Sequence, residues 1–155
     1  MNDTITDMSI NISLNDFKYK TAIPIRFSDM DMFGHANNAV FLTYFEQARS
    51  NYWKEIIQWN WDEMGIFLAK AEVEFISPVV LTDELFAYVK TSRVGKSSFD
   101  IDYILVTENL NNHLIKAKGK TIQVAFDYKS NKPAQIPQIY KNRMIEFDTI
   151  KYKIK

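Results

Sequence analysis

Only one long stretch of this 155-residue chain carries a helical period, and strand-like runs lie on both sides of it. Val40, Phe41, Tyr44, Phe45, Ala48, Tyr52, Trp53 and Ile56 recur at three- and four-residue spacing. Thr43, Glu46, Gln47, Ser50, Asn51, Lys54 and Glu55 fall mostly elsewhere. The apolar face is broad and aromatic, as a helix buried against a sheet requires. Before it, Phe17, Tyr19, Thr21, Ile23, Ile25 and Phe27 alternate with Lys18, Lys20, Ala22, Pro24, Arg26 and Ser28, which predicts a strand held to an edge or a bulge by Pro24. After it, a connector from Gln58 to Gly65 leads into four further runs, over 66–76, 84–94, 98–107 and 114–127. They are separated by turn signals at Ser77-Pro78 with Thr82-Asp83, at Gly95-Lys96 and from Asn109 to Asn112. A short helix over about 138–147, with Tyr140, Met144 and Phe147 facing inward, closes the pattern. The fold class is α+β, with one long helix against an antiparallel five-stranded sheet. One helix cannot cover both faces of such a sheet, so the uncovered face and edges predict a homodimer.

The length suits a single domain over 1–155 with a real core, residues 1–15 being a loose arm. Nineteen basic and nineteen acidic side chains cancel, so no global field favours nucleic acid or an anionic membrane. The absence of cysteine excludes disulfides, a thiolate nucleophile and any cysteine-held metal. Two distant histidines argue against a metal site, and no cofactor motif is present. No segment is long and apolar enough to span a bilayer, and the start lacks the pattern of a secretory signal, so a cytoplasmic protein is expected.

The chemistry concentrates where the first strand gives way to the helix, in Phe27-Ser28-Asp29-Met30-Asp31-Met32-Phe33-Gly34-His35-Ala36-Asn37-Asn38. A helix start offers unpaired backbone N–H groups that polarise a carbonyl, and a carboxylate opposite such a donor supplies the second element of acyl transfer. Asp31 is the acid nearest that start. Asn37 or Asn38 is a natural N-cap. Asp29 is read as a turn residue or as the partner of Arg26 or Arg49, and Glu46 as an ion-pair partner of Arg49 at i+3 on the rim of the site.

These residues resemble the hotdog-fold acyl-CoA thioesterases, in the branch that includes 4-hydroxybenzoyl-CoA thioesterase. The resemblance lies in Arg26-Phe27-Ser28-Asp29-Met30-Asp31, Gly34-His35-Ala36-Asn37-Asn38 and Tyr44-Phe45-Glu46-Gln47-Ala48-Arg49. It continues through Glu72-Val73-Glu74-Phe75-Ile76-Ser77-Pro78-Val79, Asp83-Glu84-Leu85 and Val94-Gly95-Lys96-Ser97-Ser98-Phe99. It implies a sheet wrapped round a central helix, dimers that often pair into tetramers, and active sites at the dimer interface. It also implies hydrolysis of an acyl-CoA to free acid and CoA without a metal or other cofactor. Asp31 takes the place of the catalytic carboxylate, as nucleophile or general base, and the backbone N–H of Asn38 that of the oxyanion donor. His35 is an auxiliary that orients Asn38 or lines the pocket. Gly34, Asn37 and Glu46 belong to the substrate site, with Arg93, Lys96 and Ser97 around the Gly95 turn for the CoA phosphates. An acyl carrier protein thioesterase, an enoyl-thioester hydratase and a non-catalytic acyl-thioester binder remain the rival readings.

Overall fold

The computed structural model describes residues 12–109 and 112–148. The elements in chain order are β1 (Tyr19–Ile23), α1 (Val40–Tyr52), β2 (Gly65–Phe75), β3 (Leu85–Val94), β4 (Ser98–Asn109), β5 (Asn112–Asp127), the two-residue β6 (Lys132–Pro133) and α2 (Gln138–Asp148). Five residues of π-helix, Trp53–Ile57, continue α1. They end at Gln58, whose φ of 53° turns the chain away. Residues 1–11 of the expected arm lie outside the described residues; Leu14–Asp16 form a single 3-10 turn.

The sheet is antiparallel throughout, in the order β1-β3-β4-β5-β2, and β6 pairs with the end of β5. It curls round α1. Together with the short α2, this is the hotdog fold, as expected. β1 takes an edge, where the missing N–H of Pro24 does no harm. It is shorter than the alternation predicts, because it stops at Ile23. Pro24 cannot extend the ladder, and the backbone N–H of Arg26 is taken by the Asp29 carboxylate at 2.9 Å, which folds 27–29 into a 3-10 turn. Phe27, read as the last strand position, is exposed there.

Phe41, Phe45, Ala48 and Tyr52 of α1 meet Phe99, Ile101, Tyr103 and Leu105 of β4 in the core, with Ala87 and Val89 of β3 and Ala117 and Ala125 of β5. The other face of β4 is also covered. Ile104 and Val106 form a second cluster with Phe17, against which Ile12, Leu14, Phe86, Tyr88 and Ile115 pack. Asp100 and Asp102, which alternation assigns to solvent, are buried by ion pairs with Arg93 and Lys120. One strand is thus covered on both faces, the outer cover coming partly from charges.

Two contacts seat α1. Phe45 stacks on Tyr103 with ring centroids 4.5 Å apart, and its edge lies over Gly119. A Cβ on Gly119 would stand 2.3 Å from that ring. Further along, the buried Tyr52 hydroxyl is hydrogen-bonded to Thr91 Oγ1 at 2.9 Å and donates to Asp148 Oδ2, which also accepts the Thr91 backbone N–H at 2.9 Å. The β-bulge between Thr91 and Arg93 adjoins this contact. Burial holds the Asp148 carboxyl above the usual carboxylate range despite these hydrogen bonds.

Gly119→Ala is expected to lower stability by about 1–3 kcal/mol through overpacking under α1. Denaturant unfolding measures it, and Phe45→Leu in the same background should recover part of the loss. An unchanged midpoint would show that α1 is not seated this closely.

Candidate active site at the start of the long helix

The loop between β1 and α1 is built on a buried carboxylate that is not the expected catalytic one. Asp29, 2% exposed, accepts from Arg26 Nε at 3.0 Å, from the Arg26 backbone N–H at 2.9 Å and from the Tyr44 hydroxyl at 3.0 Å. Its own backbone carbonyl accepts the Asn37 N–H at 2.9 Å. The reading of Asp29 as a turn residue paired with Arg26 therefore holds. Burial alone pushes its carboxyl up, but the Arg26 and Tyr44 hydrogen bonds and the Arg26 charge outweigh burial and leave it below the ordinary range. Burial, reinforced by Asp29, raises the Tyr44 hydroxyl.

From this anchor the chain makes a tight excursion. Met30 bridges Ala36, and the Asp31 N–H donates to the His35 carbonyl at 2.7 Å. Inside the turn, Asp31 Oδ1 accepts the Phe33 N–H at 2.8 Å and the His35 N–H at 3.2 Å, an Asx turn that fixes the carboxylate. Gly34 supplies the left-handed residue the turn needs, with φ 76°. Among the described residues no hydrogen bond uses Asp31 Oδ2. One oxygen holds the loop, and the other is outside it.

The helix start follows. Asn37 is the effective cap: its side-chain oxygen accepts the Ala39 N–H at 2.9 Å and its carbonyl the Val40 N–H at 2.9 Å. The Asn38 carbonyl accepts from Phe41 at 3.3 Å, and the Ala36 N–H is taken by Val79 at 2.8 Å. Of the backbone N–H groups from Ala36 to Phe41, that of Asn38 alone has no acceptor among the described residues. A free N–H at a helix start is an oxyanion donor in waiting.

Asp31, His35, Ala36 and Asn38 line one side of a groove of about 260 Å³, and Phe41, Phe75, Ile76, Ser77 and Pro78 line the rest. A polar corner with a carboxylate, an imidazole and a free N–H thus faces an apolar wall. The wall is pinned from behind. Buried Lys116 donates to the Pro78 carbonyl at 2.9 Å and pairs with Asp83 at 3.2 Å, while Ile76 and Ser77 both donate to its backbone carbonyl.

The structure brings Asp31, His35 and Asn38 together and leaves other expected residues apart. Gly34 and Asn37 shape the loop and the cap rather than the lining. Arg93, Lys96 and Ser97 lie at the far end of the sheet, because Phe75 pairs with Ala117 and Ser98 with Val124, seven residues of β5 away, or about 23 Å. Arg93 is moreover held by Asp100 at 2.6 Å and Ser98 at 3.0 Å. Glu46 is exposed on α1 outside the groove, and the expected Glu46–Arg49 pair does not form. Arg49 turns inward instead. It lies over the Trp53 ring at 5.7 Å and against the Tyr103 hydroxyl, whose pKa burial pushes up to about 12. Sequence reasoning assigns the apolar wall no role in the site, although Phe75-Ile76-Ser77-Pro78 lies within a motif that carries the resemblance and ends on a turn signal.

A fixed carboxylate, a free helix-start N–H and an apolar cleft together suit acyl transfer. The sequence model of the thioesterase-like superfamily matches residues 25–144, and the chain belongs to that superfamily. Over 99 residues it is 33% identical to the uncharacterized protein YsmA of Bacillus subtilis, covering 63% of this chain and 67% of that protein. Over 134 residues it is 22% identical to the chloroplastic acyl-acyl carrier protein thioesterase ATL3 of Arabidopsis thaliana, covering 83% of this chain and 68% of that one. A thioesterase of Thermus thermophilus solved in complex with coenzyme A and zinc superimposes with a TM-score of 0.76 at 29% identity, covering 90% of this chain and 100% of the other. The chain is accordingly a thioester hydrolase. No helix among the described residues is long and apolar enough to cross a membrane.

Because the folded-state pKa of Asp29 lies below the ordinary carboxyl value of 3.8, its ionised form stabilises the fold at every pH above about that value. The contribution disappears as the pH falls through the lower folded pKa. Asp29→Asn should cost about 1–3 kcal/mol at neutral pH, and the gap to wild type should narrow below pH 3.8. Unfolding curves across pH decide this; a gap constant down to strongly acid pH would remove Asp29 from its anchoring role.

Proposed function

We propose that this groove hydrolyses the thioester of an acyl-CoA to the free acid and CoA, with Asp31 as the catalytic carboxylate. The observation that carries the reading is the pairing, on one groove, of an Asp31 carboxylate fixed through one oxygen with the unpartnered N–H of Asn38. The thioester carbonyl oxygen sits on the Asn38 N–H, where the negative charge of the tetrahedral intermediate develops. Asp31 takes a proton from a water whose oxygen bonds to the carbonyl carbon; the C–S bond then breaks and the thiolate leaves and is protonated. In the nucleophilic variant Asp31 Oδ2 itself attacks, expels the thiolate and forms an anhydride that water cleaves. His35 orients the corner and Phe41, Phe75 and Ile76 receive the acyl group. The CoA phosphates meet Arg93, Lys96 and Ser97 only if these come from a second copy, since within one chain they lie beyond reach. Gly34 and Asn37 act through the loop they shape. A homodimer, alone or doubled into a tetramer, is the assembly this reading requires.

Coenzyme A bound to the Thermus relative supports CoA over other carriers. The Arabidopsis relative, an acyl carrier protein thioesterase, makes the carrier-bound thioester the second reading.

Asp31→Asn keeps an oxygen for the Phe33 and His35 N–H groups, so the loop should survive. Its kcat, read as thiol release over short, medium, long and aromatic acyl-CoAs, is expected to fall on the order of 10²- to 10⁴-fold. His35→Ala should retain much more of the rate. Near-wild-type turnover by Asp31→Asn on every cleaved thioester would refute the assignment, and release from carrier-protein substrates alone would favour the second reading.

A further inference from the structure

One lysine is out of step with its strand. From Ala117 to Ala125 every second residue of β5 is buried, but Lys116, next to Ala117, is buried too. The cause is a β-bulge. Leu105 of β4 pairs with Ala117 and Val106 with Ile115, so Lys116 opposes no residue of β4. On its other side the β2 ladder ends at the Phe75–Ala117 pair. A bulge re-aims the side chain it carries. That of Lys116 points to the segment between β2 and β3, and its backbone carbonyl accepts the Ile76 N–H at 2.9 Å and the Ser77 N–H at 3.1 Å.

The ammonium group grips that segment at two points. It donates to the Pro78 carbonyl at 2.9 Å and pairs with Asp83 Oδ2 at 3.2 Å, the oxygen that also accepts the Val80 N–H at 3.0 Å. Between the two points lie Val79 and Val80. The Val79 carbonyl accepts the Ala36 N–H at 2.8 Å, and Val80 bridges His35. On their other side these same two residues meet the start of the Asp31 turn: Met30 bridges Ala36, and the His35 carbonyl accepts the Asp31 N–H. Three short extended pieces, 30–31, 35–36 and 79–80, therefore lie side by side. Asp31 stands at one edge, and the other edge is fastened to β5 by Lys116.

We propose that Lys116 is a positioning residue for thioester hydrolysis, setting through Val79 and Val80 where the Asp31 carboxylate stands relative to the Asn38 N–H. Stability alone does not explain a lysine here, because burying an ammonium costs about what its ion pair returns. A single charge with two acceptors does fix the direction of the chain that carries them. The two halves of the residue also have separate duties. Its backbone carbonyl holds Ile76 and Ser77, and so the apolar wall, whatever the side chain; the ammonium holds 79–80. Loss of the side chain should therefore reach kcat and spare KM. The inference rests on the Asp31 reading, but one arm of its test needs no substrate.

Asp83→Asn keeps an oxygen for both the Val80 N–H and the ammonium, so its kcat on acyl-CoA should stay within about threefold of wild type. Adding Lys116→Met removes the tie without leaving a buried carboxylate unpaired. In that double variant kcat should fall about tenfold to a hundredfold, with KM changed by less than about threefold. His35 reports the same displacement in the free protein. The chain has two histidines, so in a His113→Gln background the remaining imidazole resonances belong to His35. They should hold their shifts in Asp83→Asn and move in the double variant. A residue that merely stabilises the fold would lower the denaturation midpoint and leave both the kcat of the folded protein and the His35 resonances in place. Either constancy in the folded double variant overturns the proposal. Should that variant fail to fold, Lys116→Gln with Asp83→Asn, which keeps a donor on a shorter stem, should show the same split of kcat from KM; an unchanged kcat there overturns it equally. Hydrolysis that survives Asp31→Asn would instead remove the catalytic reading, while the His35 resonances would still test the tie from Lys116 to the loop.

Discussion

The closeness of α1 to the sheet governs everything else in this molecule. It is permitted by a missing atom, the Cβ of Gly119, beneath the ring of Phe45. With that ring stacked on Tyr103, the helix lies low enough for Phe41, Ala48 and Tyr52 to fill the concave face. The polar groups trapped beneath it then need partners. They find them in one another: Gln123 Nε2 donates to Thr121 Oγ1 at 2.9 Å, and the Tyr103 hydroxyl meets the same oxygen at 2.7 Å.

The site inherits its geometry from groups that take no part in its chemistry. Asp29 clamps Arg26, Tyr44 and the carbonyl-bound Asn37 N–H, so the strand, the helix and the cap meet at one residue. Lys116 does the same for the opposite wall, joining β5 to the Pro78 carbonyl and Asp83. Two neighbouring acids therefore have separate tasks. Asp29 is buried and saturated with donors, which suits a structural anion, whereas Asp31 is held by one oxygen at the lip of a groove. The environment, not the residue type, separates them.

Much of this is legible from the pattern of residues. The bounds of β3 and α2 fall within a residue or so of the periodicity, since Gly95-Lys96 and Pro137 punctuate them. The motif from Asp31 to Asn38 coincides with the corner that lines the groove, and its short polar side chains are those that hold a tight turn and cap a helix start. What fails does so for local reasons. Alternation through Phe27 ignores the competition of the Asp29 carboxylate for the Arg26 N–H. The i+3 rule for Glu46 and Arg49 cannot see that the inward rotamer offers the guanidinium an indole face and a tyrosine hydroxyl. The apolar wall is hidden for a different reason: Phe75 and Ile76 join the groove only through strand order, β2 lying beside β5, and no spacing in the chain encodes that.

The link from Tyr52 to Asp148 spans 96 positions, and Arg143 reaches back to the Ile57 carbonyl across 86. Local periodicity lets α1 begin to coil as soon as it is synthesised. The Tyr52 hydroxyl at its last residue nevertheless has no carboxylate to answer it until α2 packs against it. The loop of the polar corner is held largely by contacts local in the chain, whereas the end of the helix beneath it is secured by one that spans most of its length. Such long-range closure costs loop entropy before it returns any contact, which slows the approach to the native state.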